Sequence, residues 1–179
     1  MNLDRQQAPS PYDFLPPVPS FDVTSDDVVA GHQMPRTFAH SSAGGDNLSP
    51  QLSWSGFPAQ TAGFAVTCFD PDAPTGSGWW HWMLLDVPVE VTSLPRGAGT
   101  ADGAHLPDGA WQLTNSYGTN DFGGAAPPPN DYPHKYFFAV HALDVPTLGI
   151  DASVSQEVAG FNLVAHTIAR AVIVPTYAH

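Results

Sequence analysis

Phe64-Ala65-Val66-Thr67-Cys68-Phe69 runs directly into Asp70-Pro71-Asp72-Ala73-Pro74, and Trp79-Trp80-His81-Trp82 opens a second apolar run that continues to Val87. The first six residues, apolar and bounded by an acidic proline turn, read as a core strand. The run over 82–87 reads as a second, and an antiparallel pairing of the two brings Asp70 and His81 to one rim. A third core strand is expected over 136–143, apolar on both faces as a strand covered on two sides must be. The Ala73–Pro74 bond is a candidate for a cis peptide.

Working outward, Phe21–Ser25 and Leu52–Trp54 alternate as half-exposed strands do, and Trp111–Thr114 reads as a shorter strand. Prolines at 9, 11, 16, 17 and 19 make residues 1–20 an extended arm, with Phe14, Leu15 and Val18 as apolar pins. Residues 21–179 then form a single domain. Helical spacing appears only near the C-terminus, where Val154, Val158, Phe161, Ala165 and Ile168 recur and Ser153 with Gln156 resembles a capping box. A helix over 154–168 and a closing strand over 171–177 are expected. The fold class is therefore mainly β: an antiparallel sandwich with a C-terminal helix and long ordered loops over 95–109 and 118–133. Loops of that length in a compact domain usually carry function.

Composition agrees with this class. Of 179 residues 42% are apolar and only 12% charged, whereas 16 Gly and 19 Pro supply the punctuation of short strands and turns. Seventeen acidic against five basic residues leave a formal charge of -12. That balance provides no basic stripe for nucleic acid and repels anionic membrane surfaces. An anionic ligand must be captured by local geometry. Cys68 is the sole cysteine, so neither an internal disulfide nor a CxxC motif exists, and its place in a core strand makes it a buried, inert thiol. No apolar run is long enough to span a bilayer, and the first residues have neither a basic nor a hydrophobic leader region, so a cytoplasmic location without membrane insertion is expected.

The chemistry concentrates at the strand rim. A stiff acidic turn can hold Asp70 where it accepts a histidine N–H, fixing the tautomer and aiming the other ring nitrogen at a ligand. Pro127-Pro128-Pro129 followed by His134-Lys135-Tyr136 can deliver a second histidine and a phenol to the same place. Nearby carboxylates favour imidazolium, so His81 and His134 could serve as charged donors, Tyr136 as a neutral one, and tryptophan walls could exclude water. His32, His40, His105, His141, His166 and His179 read as structural or solvent-facing. The chain lacks G-x-S-x-G, H-E-x-x-H and the phosphate-binding G-x-x-x-x-G-K-[ST], so no catalytic residues are assigned.

Ser49–Trp54, the Asp70–Pro74 turn, Gly78–Trp82 and the stretch from Tyr117 to Tyr136 together resemble the phosphatidylethanolamine-binding protein family, in particular its bacterial, Raf kinase inhibitor-like branch. The likeness spans residues 15 to 178. It implies a β-sandwich with a small pocket for phosphate-like groups, phospholipid head groups such as phosphoethanolamine among them. Carried over, the pocket comprises Asp70, Asp72, His81, His134 and Tyr136, with Pro74 shaping the turn and Pro129 in the loop that carries His134. Lys135 stands where the family usually has arginine, and keeps the charge without the planar fork that a bidentate contact uses. A non-enzymatic module binding a phosphate- or carboxylate-bearing ligand, without cofactor or metal, is the expected function. A kinase- or protease-inhibiting interaction protein is the alternative, and a hydrolase with metal on His81, His134, Asp70 and Asp72 is a third reading. Relatives suggest a homodimer.

Overall fold

The computed structural model describes residues 3–179. Strand β3 (Gly63–Asp70) is the centre of a five-stranded sheet, flanked by β4 (Trp79–Pro88) and β8 (Phe137–Leu143). β6 (Trp111–Gln112) and β9 (Thr167–Ile173) form the edges, and every pairing in the sheet is antiparallel. A second sheet of β1 (Asp22–Thr24), β2 (Leu52–Ser55) and β5 (Ser93–Leu94) packs on one face. The short strands β7 (His134–Lys135) and β10 (Thr176–Tyr177) pair apart from both sheets.

Alternation along the central strands builds two cores. Phe64, Val66, Cys68, Trp82, Leu84, Phe138 and Val140 meet Leu52, Trp54 and Leu94 of the smaller sheet. Ala65, Met83, Leu85 and Leu143 face the opposite way, onto Ala159 and Leu163 of helix α1 (Gln156–His166). Covering on both faces explains why β8 is apolar at every position but His141, with every residue buried. At about 1.5–3 kcal/mol for each large apolar side chain removed from water, these two layers dominate the stabilisation.

The three expected core strands form at the expected places, each a little longer or shorter at its ends. The C-terminal expectations need correction. The helix is capped by Ser155, whose side chain accepts from Val158 N, rather than by Ser153, and it ends at His166. Chain from Thr167 joins the sheet at once, so the closing strand starts earlier than 171 and stops before Pro175, beyond which β10 pairs elsewhere. The buried helix face is Ala159 and Leu163, whereas Val158 is 45% and Phe161 75% exposed. The helix meets the inner strands through small Ala159 and γ-branched Leu163, which pack with Ala65, Met83 and Leu143, and not through the apolar stripe that spacing suggests. None of the described peptide bonds is cis, so Ala73–Pro74 is trans.

The arm is held; of its expected pins Leu15 and Val18 are half-buried, and Phe14 alone is out in solvent, 75% exposed. Tyr12 lies edge-on to Phe137 and His141 and under the Arg170 guanidinium. Further back, Ala8 N donates to Asp72, Lys135 donates to Ala8 O, and Arg5 forms a two-point ion pair with Asp131. Polar contacts, to which hydrophobic spacing is blind, fix the path.

Candidate functional site

Asp70 ends β3, and one of its oxygens accepts the N–H of Asp72 at 2.8 Å, an Asx turn that ties the carboxylate to its own loop. The loop returns through Gly78 at φ +70°, where a Cβ would lie 2.3 Å from the Phe69 ring and 2.9 Å from Asp70 O. Only glycine fits. Trp79 and Trp80 then pair with Asp70 and Phe69, but Trp82 pairs with Cys68, leaving His81 as the extra residue of a β-bulge. The bulge puts Trp80 and Trp82 on opposite sheet faces and turns His81 toward the Asp70 rim, a common use of bulges at functional sites.

The two histidines have different tasks. His134 donates Nδ1–H to Asp70 at 2.8 Å and Nε2–H to Asp131 at 2.9 Å. With both nitrogens facing carboxylates the charged ring is favoured: burial opposes the charge, but Asp70 and Asp131 outweigh it and raise the pKa. Asp131 is itself drawn down to about 2: burial opposes this, and the bonds from Arg5, His134 and Tyr132 N–H prevail. Arg5 Nη2 lies 3.3 Å from His134 Nε2, and one Asp131 oxygen bridges the two.

His81 donates Nδ1–H to Gly123 O at 2.6 Å. Burial lowers its pKa, although Asp70 and the Gly123 and Gly124 backbone pull the other way, so the ring is neutral. The expected charged donor is thus His134 alone, and its two N–H groups are already committed. His81 Nε2 is a bare acceptor, 4.0 Å from Asp70. It is buried without a hydrogen-bond partner, as are Tyr136 Oη and Trp79 Nε1. The His81 and Tyr136 ring centroids are 5.1 Å apart. Burial raises the Tyr136 and Tyr117 pKa values, so both phenols keep their protons.

These groups surround a cavity of about 280 Å³ lined by Asp70, Pro74, Trp79, His81, Tyr117 and His134, with Ser42 and Pro127–Pro128 on its rim. Four residues named from the sequence, Asp70, Pro74, His81 and His134, line it directly, and Tyr136 abuts His81. Asp72 does not line it, for its carboxylate accepts from Ala8 N and Lys135 N and so holds the arm and β7. Pro129 also stays outside, its neighbours Pro127 and Pro128 forming the wall. Sequence reasoning missed Tyr117, Asp131 and Arg5. Asp131, three residues before His134, carried a weak signal, whereas Tyr117 reaches the site through a loop organised by Asn115, which receives Tyr117 N and Thr119 N. Among the described residues no three His, Cys, Asp or Glu side chains converge as metal ligands.

The family model described as phosphatidylethanolamine-binding protein matches residues 24–178. The chain belongs to the phosphatidylethanolamine-binding protein family. Within this family it is 48% identical over 160 residues to the UPF0098 protein YbcL of Escherichia coli K12, covering 88% of this chain and 87% of that one. YbhB of the same organism is 43% identical over 151 residues, covering 83% and 94%. The crystal structure of E. coli YbcL, described as a new member of the mammalian family, superposes with a TM-score of 0.87 at 46% identity, covering 89% of this chain and 99% of that one. The family match thus contains the whole cavity lining, from Ser42 to His134, while Arg5 and Tyr12 of the arm lie outside it. No described helix is long and apolar enough to cross a membrane.

Proposed function

We propose that this protein binds, and does not transform, a small ligand carrying a phosphate or carboxylate group in the Asp70–His81–His134 cavity. The observation that carries the reading is the set of buried polar atoms without partners: His81 Nε2, Tyr136 Oη and Trp79 Nε1. An unpaired buried polar atom costs about 1–3 kcal/mol, and two on the cavity wall, on His81 and Trp79, with a third on Tyr136 behind His81, point to a ligand as their partner. Trp79 supplies a donor, Tyr136 a donor and acceptor, and neutral His81 an acceptor. A monoprotonated phosphate ester presents complementary groups, acceptors for the first two and a P–OH for His81. A carboxylate satisfies the donors and needs His81 to take up a proton. With a chain charge of -12, capture depends on these local groups and on the imidazolium of His134 rather than on the overall field.

A thermal-shift series with inorganic phosphate, phosphoethanolamine and acetate tests this. A ligand at a hundred times its Kd adds about 2.7 kcal/mol, a rise of about 5–10 °C for a domain of this size. The rise should vanish in a folded His81→Ala protein. The absence of any anion effect at millimolar concentration would overturn the proposal.

A further inference from the structure

Phe69 and Trp80, with ring centroids 4.4 Å apart and planes tilted by 43°, lie on the helix side of the sheet, the face opposite to that of Asp70 and His81. There they help line a separate cavity of about 460 Å³ between the arm and α1, together with Tyr12, Phe161 and Leu163. That volume lies within the range of about 300–1,000 Å³ usual for small-molecule sites. Arg170 and His141, cross-strand neighbours on β9 and β8, are its polar groups on the sheet.

Arg170 is unusual in so acidic a chain. Arg5, Arg96 and Lys135 are all paired with carboxylates, and exposed Arg36 donates to Gly44 O. Arg170 is half-buried, yet among the described residues no carboxylate pairs with it. Its Nε donates to His141 Nδ1 at 3.4 Å, and its guanidinium lies 4.3 Å from the Tyr12 ring centroid. Neither neighbour carries charge: burial drives the His141 pKa down to about 3 and raises that of Tyr12 to about 12. Glu157, exposed in the first turn of α1 at the rim, forms no ion pair with Arg170. A partly desolvated cation beside an apolar cavity lacks one thing, an anion whose remainder is apolar.

We propose that this cavity is a second binding site, for an apolar monocarboxylate whose carboxylate pairs with Arg170 and whose hydrocarbon tail lies among Tyr12, Phe69, Trp80 and Phe161. The site explains why Phe161 is 75% exposed on a helix that buries Ala159 and Leu163. Its tail-binding surface and its cation are contributed by different layers of the fold, arm, sheet and helix, and it is independent of the Asp70–His81 cavity.

Calorimetric titration of the full chain with octanoate and with octan-1-ol tests the site. Octanoate should bind saturably at a site that His81→Ala leaves intact, and the alcohol about tenfold more weakly or worse, because it lacks the charge-assisted bond. Arg170→Met should weaken octanoate to the level of the alcohol. Phe161→Asp, at an exposed position that the fold does not need, should weaken both ligands. Equal affinity for acid and alcohol would overturn the proposal, as would unsaturable partitioning or no binding. Octanoate binding that survives in Arg170→Met but is lost in His81→Ala would place the carboxylate in the other cavity and overturn it equally.

Discussion

Replacing Asp70 by asparagine separates the two tasks of its carboxylate. The side chain is 4% exposed and accepts from His134 Nδ1 and from Asp72 N, each at 2.8 Å. An asparagine oxygen can serve only one of these donors, and its NH2 then faces the other. One buried hydrogen bond is lost, an N–H is left unmatched, and the bond that remains to His134 is no longer charge-assisted. With about 1–3 kcal/mol for the unmatched donor and about 1 kcal/mol for the weakened bond, Asp70→Asn should cost about 2–4 kcal/mol, a fall in Tm on the order of 10 °C. Urea unfolding near pH 6 gives the energy, and NMR titration of the His134 ring gives the cause. Because Asp70 helps to hold the His134 pKa above its ordinary value, that pKa should drop in the variant. The sign follows from linkage: a raised histidine pKa stabilises fully below pH 6.5 and fades as the pH rises through the folded value. The gap between the native chain and the variant should therefore narrow at alkaline pH. An unchanged urea midpoint with an unchanged His134 titration would refute the reasoning.

Asp131, drawn down to about 2, contributes stability that is present above about pH 4 and lost as the pH falls toward 2. Arg5→Met should flatten that acid-side loss in a series of melting curves, and an identical slope would deny Arg5 its part. Gly78 and Gly76 both have positive φ, +70° and +76°, but only at Gly78 does a Cβ collide, with Phe69 and Asp70 O. Gly78→Ala should cost about 1–3 kcal/mol and Gly76→Ala distinctly less, and equal losses by chemical denaturation would contradict the packing described at the turn.

Much of the fold was legible because burial writes itself into local pattern. Phe64–Phe69, 82–87 and 137–143 are apolar enough to be strands wherever they lie, and the Asp70–Pro74 turn stops the first of them by backbone chemistry alone. Asp70, His81 and His134 could be grouped because a short antiparallel connection and a proline-stiffened loop leave few places for them to go. The helix face was misread for a matching reason. Val158, Phe161 and Ala165 have helical spacing, but which side of a helix is covered depends on what packs there, and Ala159 and Leu163 are the residues that meet the sheet.

Sequence by itself determined the strands, the acidic turn, the residue types at the rim and the family. Tertiary structure alone decided which histidine is pushed toward its charged form. Both sit near Asp70, yet His134 lies between two carboxylates and His81 points its Nδ1–H at Gly123 O, a difference of partners from loops 42 and three residues distant in sequence. It alone decided that Asp72 holds the arm instead of lining the cavity, and that Arg5 and Arg170, so far apart in the chain, differ in having and lacking an anion. Hydrogen bonds and ion pairs are made by atoms at fixed distances, and those distances are set by packing across the whole chain, which no local spacing of residues encodes.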